Sequence, residues 1–183
     1  MGPGVRRDDG AFSVGHHAMT PHLRSGIIAA VAALVLDQAS KLWLLLVFDI
    51  AHRGAMRVTP FFDLVLAWNT GISYGWFQSE SQFVQVILML IKAAAVVVLA
   101  IWMARSQTML ATVALGLIIG GAIGNGIDRF AYGAVLDFAL FHVDIGGKTW
   151  NWYVFNLADV AIVAGVAALL YDSFLGVPAA KAP

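Results

Sequence analysis

The chain contains no cysteine in its 183 residues. That excludes disulfides, thiolate metal sites and a cysteine nucleophile. Charge is scarce too: 12% of residues are Asp, Glu, Lys or Arg, and the formal net charge is zero. With no basic tract, nucleic acid is not an expected partner. The histidines are His16, His17, His22, His52 and His142. The first three lie in an N-terminal tail and none shows metal-ligand spacing within a helix, so no metal is expected. Apolar side chains, by contrast, make up 60% of the chain. That is too much for an ordinary soluble domain and points to an integral membrane protein.

A membrane-spanning helix needs roughly 20 apolar residues, because about 30 Å of hydrocarbon is crossed at about 1.5 Å per residue. Four stretches satisfy this, near Gly26–Phe48, Phe83–Ala104, Met109–Ile127 and Val154–Leu175. The expected organisation is a disordered polar tail over residues 1–22, a membrane domain over 23–177 and a short tail over 178–183. Met19-Thr20-Pro21 offers a second start for the chain. The first span is too long and too charged for a cleaved signal peptide. An even number of spans puts both termini on one side. Arg6, Arg7, Arg24, Arg105 and Lys181 share that side, against Arg53, Arg57, Arg129 and Lys148 on the other. This modest excess favours cytoplasmic termini. Loops 49–82 and 128–153 are then both extracytoplasmic. Val58 to Trp68 is rich in strand formers and predicts one or two short strands over the membrane surface. Trp68, Trp76, Trp150, Trp152 and Tyr153 are expected to gather at the outer interface. No repeat of solenoid length is visible.

The informative residues are polar ones inside this apolar background. Asp137 and Asp159 both lie where the chain should meet the same face of the bilayer. A carboxylate near hydrocarbon is costly and so a candidate functional group. Two that converge can share a proton and activate a water. Asp37 and Lys41 are four apart on one helix face, either a buried structural ion pair or the lining of a polar cleft. Lys92 reads as a snorkelling or structurally paired cation. Gly116, Gly120 and Gly124 recur every four residues, a spacing that lets another backbone approach closely. Asn125 precedes Asp128 by three residues, and Asn156 precedes Asp159 by three, so in each pair an amide can reach the carboxylate. Asp128 reads as a helix-end charge held by Asn125 or Arg129, and Asp144 as solvated. Asn69 to Gly75 is either a plain turn or, through Asn69 and Gly71, a place where a ligand backbone approaches.

Taken together these residues resemble the lipoprotein signal peptidases, the signal peptidase II family of bacterial inner-membrane aspartic endopeptidases. The resemblance rests on Asp37-Gln38-Ala39-Ser40-Lys41, Asn69-Thr70-Gly71, the run from Gly120 to Arg129, Gly133-Ala134-Val135-Leu136-Asp137-Phe138 and Phe155-Asn156-Leu157-Ala158-Asp159, in that order. It implies an all-α membrane protein of four transmembrane helices, with a small extracytoplasmic β-cradle and a short outer helix. It implies a monomer in the inner membrane, both termini cytoplasmic and the active site near the extracytoplasmic face. The reaction implied is removal of the signal peptide from diacylglyceryl-modified prolipoproteins, just before the lipidated cysteine, with no cofactor. The catalytic pair maps onto Asp137 and Asp159. Substrate-binding or site-supporting roles map onto Asp37, Lys41, Asn69, Gly71, Gly121, Asn125, Asp128, Arg129, Asn156 and Ala158. Ser73-Tyr74 departs from the Ala-aromatic pair that many members carry.

Two other functions compete. Intramembrane Asp and Lys also suit a small proton-coupled transporter, although the acidic residues cluster at one interface and no inverted repeat is evident. A non-catalytic membrane subunit would use the glycines for packing alone and tolerate Asn at Asp137 and Asp159.

Overall fold

A computed structural model describes residues 21–70 and 82–175. Helix α1 (Pro21–Leu46) is 26 residues long and opens on a proline, whose missing N–H costs nothing in a first turn. It begins five residues ahead of the expected Gly26. The one-turn helix α2 (Ile50–Arg53) follows and drives Ile50, 1% exposed, into the core beside Leu44 and Leu136. Helix α3 (Gln82–Arg105) and helix α4 (Met109–Tyr132) each have 24 residues. The Thr108 hydroxyl caps α4 by accepting the Ala111 N–H at 3.1 Å. Helix α5 (Leu157–Leu175) closes the described chain. Among the described helices α1, α4 and α5 are long and apolar enough to cross a membrane.

α4 lies in the middle, packed on α1 and α5 and, to a lesser extent, on α3. Backbone approaches backbone along its glycines. A Cβ on Gly116 would collide with the Gly26 carbonyl, and one on Gly120 with that of Ala30. The expected packing stripe is therefore real, and its partner is α1. The bundle is inverted relative to a soluble one. Val31, Val35 and Leu36 on α1, and Val163, Leu170 and Phe174 on α5, are exposed, while Asp37, Lys41, Asp128 and Asn156 are at most 3% exposed. Apolar side chains facing outward need lipid, not water.

The two long connections build one antiparallel sheet in the order β1 (Met56–Thr59), β2 (Phe62–Asn69), β3 (Val135–Ile145), β4 (Lys148–Asn151). β1 and β2 fulfil the strand expectation for the first connection. β3 and β4 were not foreseen, though Phe138, Phe141 and Val143 carry the same strand signal. A bulge lies on β2 between Leu64, opposite Ala139, and Ala67, opposite Asp137. Bulges re-aim side chains, and this one sits against Asp137.

Two boundaries need correction. α4 runs on through Asp128 and Arg129 to Tyr132, rather than ending at Ile127, and stops where Gly133 turns left-handed with φ 72°. It can continue because Asp128 is neutralised by a lysine from α1. α5 starts at Leu157, not Val154, because Asn156 is its cap and Phe155 is hydrogen-bonded to Ala139 of β3. Two of the aromatics expected at the outer interface lie at different points along β3. Trp68, opposite Leu136, meets Tyr132 with the rings tilted, whereas Trp150 lies opposite Val143. Seven residues of strand separate those positions, about 23 Å at about 3.3 Å per residue. Trp76 is outside the described residues.

Candidate active site

Asp137 is the third residue of β3 and 3% exposed. Its Oδ1 accepts from Asn156 Nδ2 at 2.6 Å and its Oδ2 from Asn69 Nδ2 at 3.2 Å. Burial pushes its carboxyl up to about 6, the Asn69 amide pulls it back, and the charge of Asp159 pushes it up again. Two carboxylates from different elements thus act on one another.

Asp159 owes its position to the start of α5. The Asn156 side chain accepts the Asp159 N–H at 3.0 Å, while Asp159 Oδ2 accepts the Asn156 N–H at 3.1 Å. This is a reciprocal capping box written with Asn and Asp. The other oxygen, Oδ1, accepts from Asn125 Nδ2 at 2.9 Å. Asn156 is therefore the hinge of the site. Its backbone and carbonyl oxygen fix Asp159, and its amide nitrogen reaches Asp137, Asn125 Oδ1 at 3.0 Å and the Leu136 carbonyl at 3.3 Å.

Beneath this pair lies a buried cation with two anions. Lys41 Nζ meets Asp37 Oδ2 at 2.8 Å, Asp128 Oδ2 at 2.7 Å and Asn125 Oδ1 at 3.2 Å, which uses all three of its protons. Each anion then takes one backbone N–H. Asp37 Oδ1 accepts Ala158 N–H at 2.9 Å, and Asp128 Oδ2 accepts Leu136 N–H at 3.2 Å. Ala158 precedes Asp159 and Leu136 precedes Asp137. One ion cluster thus fixes both strands of chain that carry the two carboxylates. Asp37 also places negative charge at the N-terminus of α5, where the helix dipole favours it. Gly124 leaves room for the Asp37 carboxylate, and a Cβ on Gly121 would lie 2.5 Å from the Ala158 carbonyl oxygen.

Of the residues singled out in the sequence, Asp37, Lys41, Asn69, Gly121, Asn125, Asp128, Asp137, Asn156, Ala158 and Asp159 converge here. Gly71 lies outside the described residues, as do Ser73 and Tyr74. Two expectations change. Asp128 is held by Lys41, Gln38 and the Leu136 N–H, not by Asn125 or Arg129, because its helix face is turned to α1. Arg129 has no side-chain hydrogen bond or ion pair among the described residues. Asn69 reaches a carboxylate directly, rather than serving only an incoming peptide. Gln38 was overlooked. Its amide joins Asp128 Oδ1 at 2.9 Å to the Gly124 carbonyl at 3.1 Å, and its signal was a second polar residue beside Asp37 in an apolar span. Asp144 is exposed and bonded by Thr149 Oγ1 at 2.6 Å, as a solvated position allows. Among the described residues no group of acidic and histidine side chains is arranged to hold a metal ion.

Known proteins share this arrangement of sequence. The family described as Signal peptidase (SPase) II matches residues 29–175. The lipoprotein signal peptidase of Nitrobacter hamburgensis is 81% identical over 165 residues, which is 90% of this chain and all of that protein. The lipoprotein signal peptidase of Rhodopseudomonas palustris strain CGA009 is 68% identical over the same shares. A bacterial membrane enzyme solved by the in meso method at 1.9 Å resolution superposes with a TM-score of 0.66 at 24% identity, covering 82% of this chain and 93% of its own. A second, at 2.3 Å, gives 0.63 at 26% identity, with 87% and 95% covered. With residues 29–175 matched and the polar cluster assembled at one site, the chain belongs to the signal peptidase II family, the membrane aspartic peptidases.

Proposed function

We propose that Asp137 and Asp159 are the catalytic pair of an endopeptidase that removes the signal peptide from diacylglyceryl-modified prolipoproteins, cutting before the lipidated cysteine. The observation that carries this is Asn156, which links a 3%-exposed Asp137 to Asp159 by bonds of 2.6, 3.0 and 3.1 Å. Two carboxylates held this way cannot both ionise freely, so the pair keeps one proton. Its upward shift favours Asp137 as the carrier. Asp159 then takes a proton from the attacking water, while protonated Asp137 polarises the scissile carbonyl. The carbonyl carbon gains the water oxygen, the C–N bond breaks, and the departing amine takes from Asp159 the proton drawn from the water. Asn125 and Asn69 orient the two carboxyls through the free side of each. Substrate lying over the site displaces water and strengthens these polar contacts.

α3 is the fourth span in this reading. Both termini are cytoplasmic, loops 49–82 and 128–153 are extracytoplasmic, and a monomer works in the bacterial inner membrane with its lipid acyl chains beside those of the substrate. The Asp37–Lys41–Asp128 cluster lies at one level of the bundle, which suits a hydrolytic site rather than a proton relay across the membrane. The test is mapping of the cut. Purified protein in detergent, given a lipidated prolipoprotein, should release a peptide ending just before the modified cysteine, as read by mass spectrometry. Cleavage elsewhere, or equal cleavage of the unlipidated precursor, would contradict the assignment.

A further inference from the structure

Lys92 on α3 and Arg129 on α4 are cations that the site's internal network leaves unused. Among the described residues neither side chain makes a hydrogen bond or ion pair. Arg129 lies close enough to Lys92 for their charges to oppose one another. Lys92 is exposed on the flank of an apolar helix. An unpaired lysine there is costly, about 2.5–3.5 kcal/mol at mid-helix on an insertion scale, and a like-charged neighbour adds to that cost.

The cations flank an opening. α3 packs on α4 and hardly touches α5. On α4, three residues before Arg129, a Cβ on Gly126 would meet nothing within 4 Å, whereas one on Gly121 would collide with α5 and one on Gly124 with Asp37 of α1. Arg129 is one helical turn beyond Asn125, on the same face, and Asn125 is bonded to Asp159 at 2.9 Å. The groove therefore has Asp159 on its α5 side and Lys92 on its α3 side. Among the described residues, Asp37 and Asp128 are engaged by Lys41, and Asp137 and Asp159 are held by Asn69, Asn125 and Asn156.

Hydrolysis makes a new anion in that groove. When water adds to the scissile carbonyl and the C–N bond breaks, the upstream peptide ends as a carboxylic acid, which ionises beside a pair already carrying negative charge. It must leave, and Lys92 and Arg129, unpaired among the described residues, lie on the two helices that flank the groove. Resting on the function proposed above, we propose that Lys92 and Arg129 receive the newly formed C-terminal carboxylate of the severed signal peptide and draw it away from the dyad. The pair is a product-binding site; Lys92 takes no part in breaking the bond.

Two synthetic signal peptides test this, identical except that one ends in a free carboxylate and the other in a carboxamide. Each is used as an inhibitor of prolipoprotein cleavage by the purified full-length protein. The acid should inhibit wild type about tenfold more strongly than the amide. Lys92→Gln should bring the two within about twofold, and Lys92→Arg should restore the preference, since charge rather than shape is read. Equal inhibition by acid and amide in a wild-type sample that cleaves normally overturns this proposal alone. A preference that survives Lys92→Gln overturns it too. Absence of cleavage by wild type would overturn the underlying function, and this proposal with it.

Discussion

Asp37 accepts the backbone N–H of Ala158 at 2.9 Å, one residue ahead of Asp159. Asp128 does the same for Leu136, one residue ahead of Asp137, at 3.2 Å. Both anions are tied to Lys41. The site is thus positioned through main chain, from a cluster on α1 and α4, and not by side chains alone.

Lys41 should be the most sensitive structural residue. Lys41→Met leaves Asp37 and Asp128, at most 1% exposed, without their cation. Breaking a buried pair in this way costs about 3–5 kcal/mol. A large fall in melting temperature in detergent is expected, with Lys41→Arg falling between. A melting point within a degree or two of wild type would show that the cluster does not hold the fold.

Asp128 and Arg129 should behave differently although they are neighbours in sequence. Asp128→Asn weakens the bond to Lys41 and the grip on Leu136, so melting temperature and turnover both drop. Arg129→Ala removes no side-chain hydrogen bond or ion pair among the described residues and should change stability by about 0.5 kcal/mol or less. Paired thermal scans of the two variants decide the point, and similar losses in both would contradict it.

Asn69 should act on the chemistry. It donates to Asp137 at 3.2 Å, a bond that pulls that carboxyl down. Asn69→Ala therefore raises the Asp137 pKa and moves the alkaline limb of the rate profile upward, while turnover falls. Loss of affinity for a peptide inhibitor with an unmoved pH profile would return Asn69 to a purely substrate-binding role.

The pH dependence has a definite sign. Burial lifts Asp137 from 3.8 to about 6. The folded protein binds the extra proton between those values, so this group's contribution to stability falls as pH rises from about 4 to about 6. Catalysis needs the shared proton, and kcat/KM of the free enzyme should decline above about pH 6. Asp159→Asn removes the charge that pushes Asp137 upward, so its carboxyl stretch in infrared titration should shift to lower pH. An unmoved midpoint would separate the two carboxylates.

Much of this was legible in the sequence because hydrocarbon leaves few explanations for a carboxylate. Asp37, Lys41, Asp137 and Asp159 stood out for that reason, and the glycine stripe announced a close helix pair. What sequence could not supply was who faces whom. Asn125 and Asp128 are three apart on one helix, which suggested that they pair. In the bundle a small rotation turns Asp128 to α1 and Asn125 to α5. The strand at Asp137 was also missed, since its pairing partner, β2, is nearly seventy residues away, and local pattern carries no information on that register. Gln38 was hidden by its more charged neighbour.

The central claim is that Asp137 and Asp159 perform the hydrolysis as a unit. Its most direct test is turnover of lipidated prolipoprotein by Asp137→Asn and Asp159→Asn, each purified in detergent and matched to wild type in melting temperature. Each should lose at least about 10²–10⁴-fold in kcat, and the double variant should lose little more than either single one. Substantial turnover by either folded variant, or losses that multiply in the double variant, would contradict the account.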